Sequence, residues 1–135
     1  MTARHITWTR DQASGRGEFE GAEFGSEVSI IFTRIDRPGE GPELHRHPYS
    51  ETFIIRRGTV VFSDGISSFE ASAGAVVVVP AGVPHRFTSK SEHLEMIDIH
   101  ASGNFVTEWL DRPTESSQQA ERSHAGHDDW PRQRA

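Results

Sequence analysis

Two histidines and a glutamate stand close together in the stretch 39–58 (GEGPELHRHPYSETFIIRRG): His45, His47 and Glu51. Imidazole and carboxylate are the side chains that hold first-row divalent metals. On a β-strand, residues i and i+2 face the same way, so His45 and His47 can reach one point. Glu51 shares their parity but not their position. A straight strand would carry it roughly 13 Å past His47, whereas ligands sit about 2 Å from their ion. The chain must therefore turn back between them. Pro48, Tyr49 and Ser50 are where it can do so, because proline lacks a donor and ends a ladder. The spacing predicts His-x-His at the end of one strand, a corner, and Glu51 opening the next, with one further ligand to find.

The elements that must position these residues read as short strands. A β-branched run at 27–37 (EVSIIFTRIDR) ends at Pro38-Gly39, and 51–57 (ETFIIRR) is the next long strand. Gly58 breaks it, 59–63 returns as a hairpin, and Asp64-Gly65 signals a turn before a short strand at 67–71. The apolar run 75–79 (AVVVV) reads as a strand buried on both faces. Pro80-Ala81-Gly82 is a tight turn, 85–89 (HRFTS) leaves it, and 94–100 (LEMIDIH) is the last long strand. Apolar residues at 105, 106, 109 and 110 have the spacing of a short amphipathic helix, with Trp109 and Leu110 packed on the body. Residues 1–18 read as a polar arm with a short strand near 6–9. Residues 19–112 read as the folded domain, and 113–135 as a polar, mobile tail. His124 and His127 fall in that tail and are assigned to solvent. The sum is an all-β sandwich or barrel of short strands.

Composition excludes several classes. With 135 residues the chain is one domain with room for a core. It has no cysteine, so thiolate metal sites, thiol nucleophiles and disulfides are out. A net charge of −6 without a basic run argues against nucleic acid. No apolar run is long enough to span a membrane, and the N-terminus lacks the apolar core of a signal peptide, so a cytoplasmic location is expected.

The remaining ligand is sought at a strand start after a tight turn, where His85 stands. Here the residues resemble a known family. Gly39-x5-His45-x-His47-x3-Glu51-x6-Gly58 resembles the first cupin motif in full. Gly74-x5-Pro80-x-Gly82-x2-His85 resembles the second, with Ser89 where the family often has asparagine. Five specified positions at fixed offsets match by chance roughly once in millions of starts, given that glycine is about 7% of average composition. The resemblance implies a single cupin jelly roll whose interior holds one divalent metal (Fe, Mn, Ni or Zn) on His45, His47, Glu51 and His85. It further implies a small-molecule substrate or ligand and a homodimer. The activity implied is that of a small metal-dependent enzyme, dioxygenase- or isomerase-like and thus an oxidoreductase in the first case. A non-catalytic binding module is the alternative. The Ser89 departure touches the local turn rather than the metal.

Parity turns Phe53 and Ile55 inward with Glu51, and Phe87 inward with His85, so these line the expected pocket. Ile54 and Arg56 face out. Tyr49 belongs either at the mouth or on the surface. Asp98 and His100 share a face of the last strand. If that face is inward, Asp98 joins the pocket and His100 supplies a general base or a partner to a ligand; if outward, they are a solvated pair. Arg34 and Asp36 pose the same question on the first strand.

Overall fold

The computed structural model describes residues 2–8 and 15–110. Their strands are β1 (Gly15–Phe19), β2 (Ser29–Ile35), β3 (His45–Arg46), β4 (Glu51–Arg57) and β5 (Thr59–Ser63), then β6 (Ser68–Ser72), β7 (Val76–Val79), β8 (Arg86–Ser89), β9 (Leu94–His100) and β10 (Glu108–Trp109). A 3-10 helix at Gly21–Phe24 is the one helical piece among the described residues. The strands form an antiparallel five-stranded sheet in the order β1-β2-β9-β4-β7, a three-stranded sheet β6-β5-β8, and the pair β10-β3.

The two larger sheets close over one core because period-2 patterning gives each an apolar inner face. β2 alternates buried and half-buried along its whole length, and β4 does so over its first five residues. Ile35, Phe53, Ile55, Val79, Leu94 and Met96 from the larger sheet meet Val60, Phe62, Ala71 and Phe87 from the smaller. The expected pocket residues Phe53, Ile55 and Phe87 are thus members of a contiguous packed core. Gly58, with φ +83°, makes the link between β4 and β5, a conformation that a side chain resists.

Three expectations need correction. The helix over 105–110 does not form: residues 105–108 alternate buried and exposed, and 108–109 pair with β3 as β10. Val106 is 44% exposed, so the spacing that suggested a helical stripe marks no common face. The N-terminal strand is at Gly15–Phe19, across the end of the expected arm, while residues 2–8 are irregular. The valine run is not buried on both faces, for β7 is an edge strand and Val76 and Val78 are 61% and 59% exposed. The tail at 113–135, with His124 and His127, lies outside the described residues.

Candidate metal centre

β3, the start of β4, the turn before β8 and the end of β9 converge at one end of the sandwich. His45 and His85 form an isolated antiparallel bridge, each N–H donating to the other's carbonyl at 3.0 and 2.8 Å. Gly82, with φ +79°, lets the 80–85 turn close under His47, whose carbonyl accepts from the Gly82 N–H at 2.8 Å. Glu51 sits opposite His100 in the β4–β9 register. The corner required at Pro48–Ser50 is present, and it swings Glu51 back onto the two histidines.

His45, His47, Glu51 and His85 offer donor atoms that all lie within 4.8 Å of one another, and all four residues are buried. Glu51 Oε1 stands 2.9 Å from His47 Nε2 and 3.0 Å from His85 Nε2. The other ring nitrogens fix the tautomer. His45 Nδ1–H donates to the Glu43 carbonyl at 2.7 Å, His47 Nδ1–H to Val106 at 2.8 Å, and His85 Nδ1–H to Val83 at 3.0 Å. A carbonyl can only accept, so each neutral ring carries its proton on Nδ1 and turns the Nε2 lone pair inward. His45 Nε2 and His47 Nε2 are buried without a hydrogen-bond partner. Lone pairs facing a carboxylate oxygen repel one another until a cation lies between them. Donors about 2.1 Å from a shared ion, at right angles, would stand about 3 Å apart. The residues fit a divalent metal.

Electrostatics agrees. Burial, then the neighbouring His85, lowers the pKa of His45 from 6.5 to about 3, which keeps its ring neutral as a ligand must be. Burial pushes the Glu51 carboxyl up. His100, the nearest neighbour of its second oxygen, outweighs burial and holds Glu51 well below the ordinary 4.5.

Residues 104–110 close the site as a strap, which the sequence did not reveal. Phe105 is buried with its ring edge-on to His100, centroids 5.0 Å apart. Val106 supplies the carbonyl for His47, Thr107 Oγ1 lies 3.3 Å from the same nitrogen, and the Trp109 ring stands 5.0 Å from that of His45. The Leu110 N–H donates to the Leu44 carbonyl, and Arg46 pairs with Glu108 at 2.6 Å. An open cavity of about 300 Å³ runs beside the strap, lined by Arg46, His47, Gly82, Val106 and Thr107 among others. A smaller one of about 170 Å³ reaches His85 from the side of Phe62 and Phe69.

The remaining sequence candidates fall as follows. Tyr49 is half-buried, stacked on His47, with its hydroxyl 2.7 Å from His100 Nδ1. His100 is buried and 3.0 Å from Glu51. Asp98 faces inward two residues before His100 on the same strand, accepting from Thr33 Oγ1 at 2.9 Å. Arg34 and Asp36 form a partly exposed ion pair at 3.1 Å. Ser89 fills the departure from the motif: its hydroxyl donates to the Arg37 carbonyl at 2.6 Å and accepts from the Glu40 N–H at 3.1 Å, tying down the 37–40 turn.

The family profile described as "Cupin domain" matches residues 33–100, just over half of the chain and all four clustered residues. The chain belongs to the cupin family. Solved structures repeat the fold. An uncharacterized conserved protein with a double-stranded β-helix domain from Klebsiella pneumoniae matches with TM-score 0.64 and 15% identity, over 78% of this cupin and 85% of that chain. A cupin superfamily protein from Desulfitobacterium hafniense matches with TM-score 0.57 and 17% identity, over 70% and 82%. Oxalate decarboxylase from Bacillus subtilis matches with TM-score 0.63 and 21% identity; 82% of this cupin is covered, but only 33% of that enzyme. At these identities the likeness is one of fold. No curated protein matches the sequence. No helix among the described residues is long and apolar enough to cross a membrane.

Proposed function

We propose that this cupin holds one divalent transition metal, Fe, Mn, Ni or Zn, on His45, His47, Glu51 and His85, and acts through it on a small organic substrate in dioxygenase- or isomerase-type chemistry. The observation that carries the reading is the set of three Nδ1–H groups bound to backbone carbonyls, which turns three Nε2 lone pairs into one cluster with the Glu51 carboxylate, whose donor atoms lie within 4.8 Å of one another. When bound, such a metal supplies a Lewis acid with coordination positions left for a chelating carbonyl, enol or carboxylate. The chain's own residues turn the three Nε2 atoms inward, offset part of the ion's charge at Glu51, and cover the site with the strap. The cavity beside His47 is the approach for a substrate. Mn(II) centres are described in Bacillus subtilis oxalate decarboxylase, which supports including Mn among the ions to try.

A second reading, a binding module that holds its metal for sensing or storage, draws on the packing of Phe53, Ile55, Phe62, Phe87 and Met96 into one core beneath the site. Elemental analysis of the full chain, purified without chelators, tests both. One metal per chain, lost in Glu51→Ala and in His85→Ala, supports the site; oxygen uptake or isomerisation by the loaded protein then favours the enzyme. A wild-type chain that takes up none of the four ions after reconstitution overturns the proposal.

A further inference from the structure

His100 looks like a fifth metal ligand, since its Nε2 is buried at the same end of the barrel and 3.0 Å from Glu51 Oε2. The partner of its other nitrogen argues otherwise. His45, His47 and His85 each present Nδ1 to a carbonyl, whereas His100 presents it to the hydroxyl of Tyr49. That hydroxyl also receives the Val106 N–H at 3.2 Å. With one acceptor position of the phenol oxygen taken by the amide, its own proton is free to point at His100 Nδ1. A ring that accepts at Nδ1 carries its proton at Nε2 and is a donor there, the reverse of the three ligands. The two oxygens of Glu51 divide accordingly: Oε1 faces His47 and His85, and Oε2 faces His100.

We infer that Tyr49 and His100 are positioning residues that hold Glu51 as a single-oxygen ligand, with His100 Nε2–H engaging Oε2 so that Oε1 alone is presented to the metal. The inference rests on the metal reading above and goes beyond it. It leaves one more coordination position for a substrate than a two-oxygen glutamate would. It also ties the strap to the metal, because Val106 serves both Tyr49 and His47. The short His100–Glu51 contact is not yet aligned as a hydrogen bond, since both atoms still lack such a partner. Alignment on loading is part of the inference.

The test uses the full chain loaded with Mn(II) alone, comparing wild type with Tyr49→Phe, His100→Gln and His100→Leu. Free Mn(II) is read by electron paramagnetic resonance, and bound imidazoles are counted by nitrogen hyperfine spectroscopy on protein labelled with ¹⁵N-histidine. Expected are three bound imidazoles in wild type and in every variant. Removing a residue that orients a ligand weakens metal binding by about 10- to 100-fold, the loss expected for His100→Leu. His100→Gln keeps an N–H near the Nε2 position and stays within about threefold; Tyr49→Phe falls between, at about tenfold. Four bound imidazoles in wild type, dropping to three in either His100 variant, overturn the inference by making His100 a ligand. Unchanged affinity in folded Tyr49→Phe and His100→Leu overturns it too. Should His100→Leu not fold, Tyr49→Phe decides alone. A wild-type chain that binds no Mn(II) but binds Fe, Ni or Zn moves the same measurement of affinity to that ion, and binding of none removes the metal reading together with this one.

Discussion

His45 shows how burial becomes chemistry. Its ring is fully enclosed, and its pKa falls from 6.5 to about 3. In the unfolded chain the same imidazole takes a proton near pH 6.5. Between those values the unfolded state binds more protons, so folding stability rises with pH and is lost as pH drops from about 6.5 toward 3. Glu51, held below its ordinary 4.5, adds a loss in the same direction once pH falls under that value. Urea unfolding of the metal-free chain at pH 7, 5.5 and 4.5 is expected to show a falling midpoint, with the 7-to-5.5 step flattened in His45→Gln. A flat wild-type profile would mean that His45 is charged inside the fold. The four clustered residues were legible in the sequence because their offsets are fixed and their chemistry is narrow. The direction in which His100 points its proton was not, because that depends on the Tyr49 hydroxyl across the corner, and spacing along one strand says nothing about such a neighbour.

At the level of elements, most strands follow from alternation and turn residues, and they appear within a residue or two of where these place them. The strap is the exception. Its apolar residues suit a helix by spacing, yet its backbone bonds to β3 and its side chains serve separate rings. Tertiary pairing overrides local periodicity where a segment of seven residues has unfilled partners on a neighbouring strand. Phe105 is the anchor: it is buried against His100, and its N–H donates to Glu20 Oε2 at 3.0 Å. Truncation in Phe105→Ala is expected to lower folding stability by about 3–5 kcal/mol. If the strap guards the metal, the same variant loses its ion to a chelator at least tenfold faster than wild type, by analogy with the loss on removing an orienting group. Urea titration and a stopped-flow chelation assay measure the two. Reduced stability with an unchanged rate of metal loss would make the strap a structural closure and not a guard.

At the level of the molecule, the larger sheet is apolar on both faces. The inner face makes the core. Outward, two cross-strand rows follow from the registers: Ile30, Ile99, Thr52 and Val78 in one, Phe32, Ile97, Ile54 and Val76 in the other. Stacking of Trp8 on Phe32, with centroids 5.2 Å apart, covers one end of one row. Val76 and Val78 at the far end stay mostly exposed. An apolar sheet face calls for a further layer, and a face that meets its own copy about a two-fold axis needs no second complementary surface. We propose that the added layer is a second copy of this chain, packed face to face. That would cover Val76 and Val78, which are exposed among the described residues. Sedimentation equilibrium is expected to give about 30 kDa, twice the 15.1 kDa chain. A charge set into the middle of the face, Ile97→Arg, is expected to return it to 15.1 kDa while leaving the strand signal in circular dichroism and the metal content unchanged. Wild type at the mass of one chain would leave Trp8 as the cover that the described residues provide, and Trp8→Ala would then be the substitution that exposes Phe32.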